Sequence, residues 1–231
     1  MRIEDILSAG PVMPVVTIDD PASAAPLARA LLAGGLRAIE VTLRTDAALR
    51  AIEAIAREVP DALVGAGTVL TPDDLRAAIA AGARFAVSPG STAALLEAGR
   101  QASIPYLPAI ATASELMRGL EHGYGAFKFF PAAQAGGVEA LRSLAGPFPR
   151  VRFCPTGGID MGSAGDYLAL ANVLCVGGSW VTPKSALASG DFAKIEALAR
   201  AAAALNSATS AAGSQSPGYA GPRADAIRRG S

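Results

Sequence analysis

Lys128 stands inside the apolar run Ala126-Phe127-Lys128-Phe129-Phe130-Pro131, and it is one of three lysines in a chain whose other seventeen cationic side chains are arginines. Burying an ammonium is costly, so a lysine retained here points to something an amine does and a guanidinium does not. An amine in an apolar pocket gives up its proton more readily and condenses with a carbonyl to a Schiff base. The other lysines offer less: Lys184 lies in the turn-like Thr182-Pro183-Lys184-Ser185, and Lys194 on a polar helix face. The plain alternative for Lys128 is a strand lysine that snorkels outward to a carboxylate.

A carboxylate is aimed the same way. In Ala38-Ile39-Glu40-Val41-Thr42-Leu43-Arg44 the period of two puts Glu40, Thr42 and Arg44 on one face and the aliphatic residues on the other. The same alternation turns Lys128 away from Phe127 and Phe129. A buried Glu40–Arg44 ion pair with a structural role is the alternative. Leu63-Val64-Gly65-Ala66-Gly67-Thr68 ends in small residues and a hydroxyl, which leaves room beside the lysine, although both glycines also suit close strand packing. Pro89 opens a strand-end turn and is expected to form no more than a pocket wall. Late in the chain, Thr156-Gly157-Gly158 and Gly177-Gly178-Ser179 form two glycine-rich strand ends where backbone N–H groups can approach an anion such as phosphate.

These residues need a scaffold that brings distant segments to one place. From Val12 onward short β-rich runs alternate with Ala/Leu-rich helical patterns at intervals of about 20 to 26 residues, the rhythm of β-α units. Eight strands are predicted: Val12–Ile18, Ala38–Leu43, Leu63–Val69, Phe85–Pro89, Pro105–Ile110, Ala126–Phe130, Arg152–Thr156 and Val173–Gly177. Helices are predicted between them, for example Pro21–Ala33, and Pro72–Ala81 after an N-cap at Thr71. The expectation is an α/β fold, a compact (β/α)8 TIM barrel over residues 1–206, with an additional N-terminal helix Ile3–Ser8 on its floor. An open doubly wound sheet would need a glycine-rich dinucleotide turn after an early strand, and Thr17-Ile18-Asp19-Asp20-Pro21 stands there instead. Residues 207–231 are Ser/Gly/Ala/Pro-rich without apolar periodicity and are expected to be a disordered C-terminal tail.

Composition narrows the function. The 231 residues are 51% hydrophobic with formal net charge +0, so no broad field attracts nucleic acid or a membrane surface, and neither is expected as a partner. No apolar run approaches the roughly 18 residues of a membrane span, and no charged leader is apparent, so the cytoplasm is the expected location. Cys154 and Cys175 lie in separate apolar segments without metal-ligand spacing, and His122, the single histidine, is explained by a helix C-terminus. No metal or cofactor is expected.

Taken together, Glu40-Val41-Thr42-Leu43-Arg44-Thr45, Gly65-Ala66-Gly67-Thr68-Val69, Phe127-Lys128-Phe129-Phe130-Pro131, Cys154-Pro155-Thr156-Gly157-Gly158-Ile159 and Gly177-Gly178-Ser179-Trp180 resemble the 2-keto-3-deoxy-6-phosphogluconate aldolase family of the Entner–Doudoroff pathway. The resemblance runs from about Ile6 to Leu205. It implies a class I, metal-free aldolase on a (β/α)8 barrel, assembled as a homotrimer. It implies cleavage of the phosphorylated keto acid to pyruvate and glyceraldehyde 3-phosphate, with 4-hydroxy-2-oxoglutarate as a second substrate. By the same resemblance Lys128 is the Schiff-base nucleophile, Glu40 the general acid/base, Arg44 and Thr68 the carboxylate site, Gly157, Gly158 and Ser179 the phosphate site, and Pro89, Phe130 and Thr156 the pocket lining. The chain departs from the family at Ala133, where many members carry glutamate, and at Pro108-Ala109-Ile110-Ala111-Thr112 in place of Pro-Gly-Ile-Ser-Thr. Two rivals stay in view: an aldolase for the phosphogalactonate epimer, and a phosphate-binding barrel without catalysis.

Overall fold

The computed structural model describes residues 1–205, so the tail expected at 207–231 lies outside the described residues. The strands are β1 (Val12–Val16), β2 (Ala38–Thr42), β3 (Leu63–Gly67), β4 (Ala86–Val87), β5 (Tyr106–Leu107), β6 (Ala109–Ile110), β7 (Ala126–Phe129), β8 (Arg152–Pro155) and β9 (Val176–Gly178). Every pairing between them is parallel. They form a six-stranded sheet in the order β5-β4-β3-β2-β1-β9 and a three-stranded sheet in the order β6-β7-β8. The result is an α/β fold built on curled parallel sheet, with a helix after every strand but β5.

Two corrections to the predicted strands follow from elementary causes. Pro105–Ile110 is divided at Pro108: proline has no N–H to give the ladder, so β5 pairs with β4 on one side and β6 with β7 on the other. The Pro108 carbonyl still serves β7, accepting from Lys128 N–H at 2.9 Å. The last strand begins at Val176 rather than Val173, because isolated bridges Phe153↔Val173 and Thr156↔Gly177 set four steps of chain opposite three. The extra residue is a bulge, and it turns Cys175 toward Cys154, whose sulfurs are 3.5 Å apart.

The helices begin where their caps dictate. Thr71 caps Pro72–Ala80 by accepting from Asp74 N–H, and Asp74 returns a bond to the Thr71 N–H. The predicted Pro21–Ala33 helix resolves into a 3-10 turn, Pro21–Ser23, and an α-helix, Ala24–Ala33. His122 is the C-cap of Ala113–Glu121.

Apolar side chains separate into two clusters. The larger lies between strands and helices and holds Val16, Ile39, Val41, Phe127 and Phe129. The smaller lies on the opposite face of the strands and holds Met13, Ala38, Leu63, Phe85, Ala126, Cys154 and Cys175, and the short N-terminal helix Ile3–Leu7 packs Ile6 and Leu7 into it. The inner face is therefore filled at the N-terminal ends of the strands. Polar groups occupy it one step further along.

Candidate active site

Glu40 and Lys128 come from β2 and β7, strands that are not neighbours, and they meet across the inner face. Lys128 Nζ lies 2.8 Å from Glu40 Oε1 and 3.2 Å from Oε2. Lys128 is 5% exposed and Glu40 1%, so the pair is held out of water, where an ion pair is strong and removal of either partner is costly. The snorkelling alternative for Lys128 is thus incorrect: its carboxylate partner lies inward. The Glu40–Arg44 ion pair is absent too. Strand β2 ends at Thr42, and Arg44 lies beyond it, exposed, so alternation no longer sets its direction.

Arg44 and Thr68 are nevertheless brought together, since Arg44 Nε donates to Thr68 Oγ1 at 3.1 Å. Thr68 has φ +58°, a left-handed backbone that a β-branched residue adopts only at a cost of about 1–3 kcal/mol. Gly67 shapes the space before it: a Cβ there would overlap the Glu40 side chain, whereas a Cβ at Gly65 would strike the Phe85 ring. One glycine serves the site and the other the core.

Phe130 roofs the lysine, its ring centroid 5.5 Å from Nζ. The ring also reaches Gly157, where a Cβ would stand 3.3 Å from it. Gly157 and Gly158 have φ +101° and +72°, conformations that favour glycine, so this strand end turns back with its backbone exposed instead of side chains. Ala133 fills the place against Gly158 with a methyl group, and Gln134 lies beside it. The bridge Thr156↔Gly177 sets the loop after β8 beside the loop after β9, which carries the exposed Ser179. Thr156 is buried, and its hydroxyl occupies the space a Cβ on Gly177 would need. Pro89 follows β4, half-buried. Among the described residues, no group of three or more His, Cys, Asp and Glu side chains is placed to hold a metal ion.

Two features escaped the sequence reading. The Cys154–Cys175 contact joins residues 21 apart through a bulge, for which sequence carries no clear signal. The hydrogen bond that Cys175 donates to the Cys154 sulfur, together with complete burial, holds the Cys175 thiol well above its usual range. The second is Thr17, whose Oγ1 lies 3.0 Å from Thr42 Oγ1. Its signal was present, because alternation along Val12–Ile18 makes it the one polar residue on the inner side.

Over most of its length the chain is similar to known proteins. Residues 3–198 match the aldolase family described as KDPG and KHG aldolase. The 2-dehydro-3-deoxy-phosphogluconate aldolase of Dickeya dadantii is 57% identical over 201 residues, covering 87% of this chain and 94% of that protein. The KHG/KDPG aldolase of Escherichia coli K12 is 56% identical over 199 residues, covering 86% and 93%. The crystal structure of the KDPG aldolase from Legionella pneumophila, with pyruvate captured at low pH as a covalent carbinolamine intermediate, has TM-score 0.86 and 49% identity, covering 87% of this chain and 98% of that one. With a match this long in sequence and in fold, the chain belongs to the KDPG and KHG aldolase family.

Proposed function

We propose that the chain is a class I aldolase cleaving 2-dehydro-3-deoxy-6-phosphogluconate to pyruvate and glyceraldehyde 3-phosphate, and 4-hydroxy-2-oxoglutarate to pyruvate and glyoxylate. The observation that carries the reading is the buried contact of Lys128 Nζ with both oxygens of Glu40. Glu40 accepts a proton from the lysine, and the freed amine adds to the C2 carbonyl to give a carbinolamine. Glu40 returns that proton to the departing hydroxyl, so loss of water leaves a protonated imine and a free carboxylate. Glu40 then removes the proton of the C4 hydroxyl, the C3–C4 bond breaks, its electron pair moves into the imine, and the aldehyde departs. Protonation of the enamine at C3 and hydrolysis release pyruvate and the free lysine.

Arg44 and Thr68 hold the carboxylate of the pyruvate half in this reading. Gly157, Gly158 and Ser179 take the phosphate, with Pro89, Phe130 and Thr156 lining the pocket. The strands are read as a closed (β/α)8 barrel over residues 1–206. Closure is supported by the segment divided at Pro108, which joins the two sheets at one side, and by the β8–β9 bridges at the other. A cytoplasmic homotrimer is proposed on the family resemblance. Among the described residues no helix is long and apolar enough to cross a membrane.

Borohydride added with pyruvate tests the central claim. The expected result is a reduced covalent adduct on Lys128, located by peptide mass spectrometry, and no turnover in Lys128→Arg, whose guanidinium keeps the charge but cannot condense. Label on Lys184 or Lys194, or an active arginine variant, would overturn it.

A further inference from the structure

We propose that Thr17 determines specificity for the aldehyde half of the substrate by accepting a hydrogen bond from its non-reacting hydroxyl, the one on C5 of the phosphorylated keto acid. The inference rests on the aldolase reading above.

Its direction comes from proton counting. Thr42 Oγ1 lies 3.1 Å from the Val16 carbonyl oxygen, and a carbonyl only accepts, so the single hydroxyl proton of Thr42 is committed there. The 3.0 Å contact between the two threonine hydroxyls therefore has Thr17 as donor. Thr42 is fully buried and fixed by this bond, whereas Thr17 is half-buried. What Thr17 has left is lone pairs. A group so arranged attracts an O–H and repels a carboxylate or phosphate oxygen.

Its position comes from the sheet. Val12, Val16 and Ile18 belong to the cluster beneath the helices, so Thr17 takes the inner side with Met13, just past the C-terminal end of β1. In the strand order β3-β2-β1-β9, Thr68 follows β3, Arg44 follows β2 and Ser179 follows β9. Thr17 thus stands between the group proposed for the carboxylate and the group proposed for the phosphate. A substrate spanning the two passes this point with its middle carbons, and in the six-carbon acid those carbons bear hydroxyls. In 4-hydroxy-2-oxoglutarate a carboxylate replaces the C5 hydroxyl.

The test compares kcat/KM for the two keto acids in the parent, Thr17→Val and Thr17→Ser. Valine keeps the branched shape and loses the oxygen. Thr17→Val is expected to lower kcat/KM for the phosphorylated acid by about 3- to 10-fold, the range for one hydrogen bond to a neutral hydroxyl. The value for 4-hydroxy-2-oxoglutarate should be unchanged or raised, serine should restore the parent ratio, and exchange of the pyruvate methyl protons should be unaltered. An equal fall for both substrates, an unchanged ratio, lost exchange or a serine variant as poor as valine would overturn the role of Thr17. A parent enzyme unable to cleave the phosphorylated acid would instead overturn the functional reading, and Thr17 with it.

Discussion

Gly67 is the space that the Glu40 side chain occupies: a Cβ on the glycine would overlap Oε1, Cγ and Cδ of the carboxylate. The register Thr42↔Gly67 places the glycine one strand away and two residues beyond the Glu40↔Gly65 pair, so the glutamate leans over it toward Lys128. Glu40 cannot yield easily, since both of its oxygens are engaged by Nζ. Gly67→Ala is therefore expected to retain the fold by circular dichroism while turnover falls by roughly 10²-fold, the scale of a misplaced catalytic group. Parent activity in that variant would show that Glu40 has another place to go.

Glu40→Gln separates proton transfer from imine formation. The amide keeps the shape and an acceptor for Lys128, but it cannot carry protons between the C4 oxygen and C3. Cleavage should fall by roughly 10² to 10⁴. Borohydride trapping of pyruvate should persist at equilibrium, while exchange of the methyl protons in deuterated water, followed by NMR, should slow in step with cleavage. Exchange at the parent rate would make Glu40 structural and move the proton to another group.

Much of this site was legible because strand alternation is strict where a strand is paired on both sides. Glu40 and Lys128 obey it, and their inward direction could be read from the apolar residues flanking them. Arg44 could not be placed this way. It lies past the end of β2, where its N–H bonds back to the Thr42 carbonyl at 2.8 Å and the period of two is lost. The division at Pro108 was available from the missing N–H, but the β9 register was not, because a bulge depends on which residues of the neighbouring strand it must pass.

The left-handed backbone of Thr68 sets stability against the role proposed for it beside Arg44. Thr68→Gly removes the strain of a β-branched residue at φ +58° but adds roughly 0.5–1 kcal/mol of chain entropy, so the variant should be as stable as the parent or more stable by about 1 kcal/mol. Arg44 Nε would lose its hydroxyl acceptor. The KM for pyruvate in methyl exchange should then rise several-fold, by roughly the 0.5–1.5 kcal/mol that one solvent-exposed hydrogen bond contributes. Thermal denaturation and the exchange assay on the same preparation decide it. A lower melting temperature with parent KM would mean that Thr68 stabilises the turn and does not organise Arg44.

Outside the site, Tyr106 is expected to make the stability of the fold fall in base. Its hydroxyl is 2.5 Å from Ser88 Oγ, both residues are buried, and its ring meets Tyr124 edge-on at 5.8 Å between centroids. Burial pushes the phenol up to about 12, with hydrogen bonds to Ser88 and Ser91 offsetting part of the rise. In the unfolded chain the phenol ionises near ~10. Below that pH both states keep the proton and Tyr106 contributes no pH dependence. Between about 10 and 12 the unfolded state releases its proton and the folded state does not, so stability falls as pH rises, by on the order of 2–3 kcal/mol across the window. Urea denaturation at successive pH values should show that decline. The paired change Ser88→Ala with Tyr106→Phe, which leaves neither hydroxyl orphaned, should make the decline shallower, and Tyr124, also pushed upward by burial, should sustain what remains. A slope identical to the parent's would show that the Tyr106 phenol stays protonated in both states or ionises in both together.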